Sequence, residues 1–206
     1  MFQKNSPLFF LLFSFTIYQG VFSQTNKGKY SDHAEILFAE GKYEEVIPFA
    51  NSNLDKLLNK PNIDSLEISK LYLHLTASFY RLRENQKSIE ISKKGLAFCP
   101  NSNEGNNTKA GILYWRSFPE FFLNKPYKSY KSKKEAVDLL KRNKAPNLEF
   151  LTGAYAELSL DMAFMGYLDK ASTYINKALE TNQIKNKTAK KNNTYRIEED
   201  LQLWLK

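Results

Sequence analysis

Residues 69–102 read SKLYLHLTASFYRLRENQKSIEISKKGLAFCPNS, and their spacing decides the fold class. Leu71, Leu75 and Phe79 fall four residues apart, a stripe along one helix face. Arg83-Glu84-Asn85 interrupts the stripe, and Ile89, Leu96 and Phe98 resume it on a second helix. Pro100 stops that second helix, because it offers no backbone N–H. Ser88 and Gly95 are small where the second helix must approach the first closely. Nowhere in the chain do Val, Ile and Thr form the alternating runs that a sheet needs.

The same arrangement returns on either side. A large aromatic is followed three residues later by an apolar residue, four later by another, and nine further on by a small one. Tyr72, Leu75, Phe79 and Ser88 form one set, and Tyr155, Leu158, Met162 and Ala171 a second. Tyr30, His33, Leu37 and Val46 form a weaker third. The breaks match as well: Gly41-Lys42-Tyr43 in one, Gly166-Tyr167-Leu168 in another. Lys94-Gly95-Leu96 and Lys177-Ala178-Leu179 end two of the second helices alike.

These residues resemble the tetratricopeptide repeat (TPR) family, whose pattern is W-x2-L-G-x2-Y, then A-x3-F, then Pro. Segment 69–102 fits best, 152–185 follows but has Gln183 in place of the Pro, and 27–60 departs at Pro48. The resemblance implies an all-α, right-handed α-solenoid of about four TPR-like helix-turn-helix repeats, closed by a C-terminal capping helix. The remaining pair is expected between Asn107 and Asn147, with a first helix at 109–123 and a second at 132–144. Taking Ala136 as its small position gives spacings of 42, 48 and 35 between positions 46, 88, 136 and 171.

The ends read differently from the repeats. Residues 1–23 have the form of a secretory signal: Lys4, then the apolar run Pro7 to Tyr18, then small residues Val21 and Ser23 before the cut. An uncleaved anchor is the competing reading, but the run is shorter than the ~20 residues of a membrane span. The expected location is exported, periplasmic or secreted. Residues 24–182 would be the repeat domain, 183–193 a polar hinge and 194–206 the capping helix, with Ile197, Leu201, Trp204 and Leu205 on one face.

Composition narrows the function. A formal charge of +8 arises from 25 Lys against 5 Arg, and nucleic-acid readers lean on Arg, so no nucleic-acid partner is expected. One cysteine, Cys99, and two histidines exclude a disulfide framework and leave no metal site or cofactor to expect. His33 and His74 read as buried structural residues, and Cys99 as a structural thiol. No G-x-S-x-G, H-E-x-x-H or phosphate-binding Gly-rich motif is present, so no catalytic residue is assigned and no enzyme is expected.

The expected role is a protein–protein adaptor or assembly factor of the cell envelope. By the family's positions, the concave first-helix face presents Glu35, Phe38, Lys70, Leu73, Tyr80 and Arg81. Tyr114, Trp115 and Arg116 are candidates in the third repeat, although ordinary core also explains Tyr114 and Trp115. The family's carboxylate-clamp positions carry Ser31, Glu35, Leu73 and Ala77 here, so that clamp is absent. The alternative is an envelope-surface binder. Residues 125–144 hold eight bases and two acids, and Lys125, Lys128, Lys131, Lys133, Lys134, Lys141 and Arg142 would form a basic patch toward anionic lipid or polysaccharide.

Overall fold

The computed structural model describes residues 29–143 and 146–188. The expected signal segment 1–23 and capping helix 194–206 lie outside them. Among the described residues the chain is all-helical, eight helices packed in consecutive pairs, compatible with an all-α helical repeat. They are α1 Tyr30–Ala39, α2 Tyr43–Leu58, α3 Ser65–Arg81, α4 Asn85–Phe98, α5 Asn103–Phe122, α6 Pro126–Lys141, α7 Leu148–Phe164 and α8 Leu168–Thr188. None of them is long and apolar enough to cross a membrane.

The helices fall into two compact units, 24–145 and a second that contains α7 and α8. In the first unit every first helix packs on its own second helix and on the next first helix: α1 on α3, α3 on α5. Each second helix also packs on the first helix of the following pair, α2 on α3 and α4 on α5. Close approach depends on small residues. A Cβ built on Gly95 of α4 would stand 2.6 Å from Tyr72 Cβ on α3 and 2.9 Å from Ile112 Cδ1 on α5. In the second unit α7 and α8 pack as a single pair, with Tyr155, Leu158, Met162, Ala171, Ile175 and Ala178 buried.

One turn joins all four pairs. Gly41, Arg83, Asn124 and Gly166 have φ of 79°, 62°, 58° and 82°, the left-handed region. The N–H of each donates back three residues, to Phe38, Tyr80, Phe121 and Ala163. The next residue's N–H donates back five, to Leu37, Phe79, Glu120 and Met162. This pair of bonds satisfies helix-end carbonyls that would otherwise be orphaned. The left-handed residues follow one another at intervals of 42, 41 and 42.

That regularity corrects the third repeat. Its small position, matching Val46, Ser88 and Ala171, is Ser129, fully buried, and not Ala136. The apolar positions filled by Leu75 and Phe79, or by Leu158 and Met162, carry Arg116 and Glu120 in the third pair. A charged pair there hides the pattern that apolar residues show elsewhere. Both helices of the pair also begin six residues before their expected starts. Ser102 caps α5 by accepting from the Gly105 N–H at 3.0 Å, and Pro126 opens α6 where a missing N–H costs nothing. At the far end α8 runs on to Thr188, so residues 183–188 of the expected hinge are helical.

The other local expectations divide. α4 ends at Phe98, with Cys99 extended ahead of Pro100 as proline requires. His74 is buried, and burial together with the Lys70 charge pushes its imidazole down to about 3. His33 is exposed, contrary to expectation, its ring 4.6 Å from Phe49. α1 packs mainly on α2 and α3, and Phe38 of α1 also reaches Trp115 of α5.

Candidate functional site

The first unit gathers aromatic side chains along the edge where first helices end. Phe38 closes α1, Tyr43 opens α2, Tyr80 and Arg81 close α3, and Trp115, Phe118 and Phe122 line the last turns of α5. Their rings form a continuous run. Phe38 lies 5.0 Å from Tyr43 and 5.7 Å from Trp115. Tyr80 lies 5.8 Å from Trp115, 5.1 Å from Phe118 and 6.3 Å from Phe122. Phe38 and Trp115 are buried beneath, Tyr80 is half-buried, and Phe122 is 50% exposed.

Arg81 sits at the centre of this run. Its Cζ is 5.2 Å from the Trp115 ring centroid and 6.0 Å from those of Tyr43 and Tyr80. At these distances the electron-rich rings attract the guanidinium charge. The side chain is half-buried, and its Nε is fully buried with no hydrogen-bond partner. Among the described residues no carboxylate pairs with it.

The other expected groove residues are placed differently. Lys70 and Leu73 are buried, since α3 is packed between α1, α2, α4 and α5. The Leu73 side chain lies against Gly111 of α5, which seals that contact. Tyr114 and Trp115 are core residues. Arg116 is engaged internally: its Nη2 donates to Ser132 Oγ at 3.0 Å, and its Nε lies 3.3 Å from Glu120. Ser132 Oγ–H in turn donates to Glu120 at 2.6 Å. Glu35 is half-buried, and its carboxyl is pushed up to about 7, mainly by burial, further by Asp32, with Lys70 opposing. Of the expected set, Tyr80 and Arg81 share one accessible place, and Phe38 and Trp115 support it from below.

One residue of the expected basic patch lies in the interior. Lys133 is buried, its Nζ 5.1 Å over the Phe118 ring, because it occupies the inward position of Ser92 and Ile175. Lys125, Lys128, Lys131, Lys134, Lys141 and Arg142 are exposed at α6. Tyr127 and Tyr130 stack at 6.3 Å, Lys131 lies 4.6 Å over Tyr127, and Lys134 pairs with Asp138 at 2.8 Å.

Phe122 and Tyr43 were missed as surface candidates by reading the sequence. The turn spacing would have found Phe122, which stands one repeat after Arg81, as Phe164, 64% exposed, stands one repeat later. The Cys99 thiol donates to Gly95 O at 3.4 Å, and burial pushes it up to about 11, which keeps it protonated at neutral pH. Among the described residues no three His, Cys, Asp or Glu side chains gather as metal ligands. A scan against family models finds no match to the chain, and a search of curated proteins finds none either.

Proposed function

We propose that the chain is a TPR-like repeat protein of the cell envelope, exported by its N-terminal segment. It works as a non-enzymatic adaptor or assembly factor that holds a segment of a partner protein. The observation that supports this reading is the aromatic run around Tyr80, Arg81 and Phe122. Tyr, Trp and Arg are the residue types that dominate binding energy at protein interfaces, and they do so where neighbouring side chains exclude water. A rigid array of helices backs these residues, so little side-chain freedom is lost when a partner docks.

The test is crosslinking in the envelope fraction of the native host, comparing wild type with a Tyr80→Ala/Arg81→Ala variant of unchanged helicity. Capture of one defined protein by wild type alone supports the adaptor reading. Equal capture by both moves the site away from this edge. A second reading follows from α6, where Lys125, Lys128 and Lys131 are exposed beside the stacked Tyr127 and Tyr130. That face would bind an anionic lipid or polysaccharide surface. Its affinity would fall steeply with salt, whereas binding at the aromatic edge would change little.

A further inference from the structure

We propose that Arg81 receives a side-chain carboxylate of the partner segment, whose neighbouring large apolar residue packs on Tyr80 and Phe122. This rests on the adaptor reading and names the chemistry of its partner. The argument begins with what Arg81 lacks. Three other cations of the first unit have acids beside them: Lys42 has Glu40 at 2.8 Å, Lys109 has Glu135 at 3.4 Å and Arg116 has Glu120 at 3.3 Å. Arg81 has three aromatic rings and a buried Nε with no acceptor. The rings against its Cζ attract the charge but supply no carboxylate to the fork of terminal N–H donors. That fork fits a planar carboxylate bidentately.

Two further observations select the ligand. Lys87, the first basic residue of the following helix, is engaged with Glu84, and Arg81 is the cation that lies over the Tyr43, Tyr80 and Trp115 rings. One guanidinium matches a singly charged carboxylate better than a phosphate dianion, which recruits clusters of cations. The aromatic run also reaches the surface on both sides of Arg81, at half-buried Tyr43 in one direction and exposed Phe122 in the other, over buried Phe38 and Phe118. A chain crossing it makes contacts before and after the acid. The site therefore suits an Asp or Glu within a segment and not a free C-terminus.

The test selects short peptides, displayed with their C-termini fused, on the full chain expressed in its own host. Selected peptides are then made with both ends capped. Binding is followed by Trp115 fluorescence in a Trp204→Phe background, which leaves one reporter, 5.2 Å from the Arg81 guanidinium. Enriched peptides carry Asp or Glu beside a large apolar residue. Changing that acid to its amide weakens binding to wild type by about tenfold or more, and changes nothing on the Arg81→Gln variant. Lys93→Gln, on the exposed face of α4, binds as wild type does. Arg81→Lys recovers only part of the loss, since an ammonium lacks the fork. Peptides that bind Arg81→Gln with unchanged affinity overturn the carboxylate while leaving the adaptor reading in place. A selection that returns no binding peptide overturns both.

Discussion

Glu67 of α3 accepts two hydrogen bonds from Ser31 of α1, from its N–H at 2.7 Å and its Oγ–H at 2.8 Å. Glu67 stands in the first turn of α3, where a Glu often turns back to its own helix start. Here Asp64 caps α3 by accepting the Glu67 N–H at 3.0 Å, which frees the Glu67 carboxylate to serve the neighbouring helix. A buried carboxylate thus faces the positive end of α1 and ties the first pair to the second. Glu67→Ala is expected to cost about 2–3 kcal/mol, and Glu67→Gln less, because the amide keeps one acceptor. Urea unfolding measures the loss, and hydrogen exchange should show it first in the opening turn of α1.

Gly95→Ala reverses a familiar rule. Inside an exposed helix this change gains up to about 1 kcal/mol. At position 95 the new methyl would meet Tyr72 Cβ at 2.6 Å and Ile112 Cδ1 at 2.9 Å, both on well-packed neighbours. Separating α4 from α3 and α5 is expected to cost about 1–3 kcal/mol net. Thermal unfolding checks it, and no loss of midpoint would mean that the three helices are less tightly joined than described.

Glu35 makes stability depend on pH. Its folded carboxyl titrates at about 7 against an ordinary value of 4.5, so between these values the folded chain binds the extra proton. Its contribution is complete below the lower value and is lost as pH rises through the higher one. Because the group is partly solvated, the loss should be on the order of 1 kcal/mol, well under the full shift. Urea midpoints taken from pH 5 to 8 are expected to decline in wild type and to decline less in Glu35→Gln.

Glu120→Ala strands the Arg116 guanidinium in a largely buried place and is expected to cost about 3 kcal/mol. Replacing both charges by the residues that the fourth pair uses, as Arg116→Leu/Glu120→Met with Ser132→Ala, should bring stability back to within about 1 kcal/mol of wild type. Chemical denaturation of the single and combined variants decides it. A combined variant as weak as Glu120→Ala would mean that the charged network has no apolar substitute.

The same network explains what could be read beforehand. Helices pair by pair were legible because Leu71, Leu75, Phe79 and their counterparts near Leu158 repeat with the helical period. The third pair was not, since Arg116, Glu120 and Lys133 stand where apolar or small residues mark the others, and polar residues carry no periodic signal. Its turn was hidden too. Arg83 and Asn124 adopt a conformation that glycine announces at positions 41 and 166. Of the candidate site, the kinds of residue were legible but not their depth. Tyr80 and Arg81 were placed on a face, whereas Leu73, Lys70 and Lys133 needed the packing of three helices to be seen as interior. Exposure at a helix end depends on neighbours far away in the chain, and only the folded arrangement brings them into view.

The recurring turn also bears on how such a chain is inherited. Every first helix hands over to its second through one left-handed residue and the same two backbone bonds, whatever side chains stand there. Cutting the chain after one such residue and joining it after the next removes a whole pair and leaves the junction chemically unchanged. Duplication adds a pair under the same terms. The number of pairs is therefore a heritable quantity that changes in fixed steps, and natural variants should differ by full multiples of one pair rather than by scattered insertions.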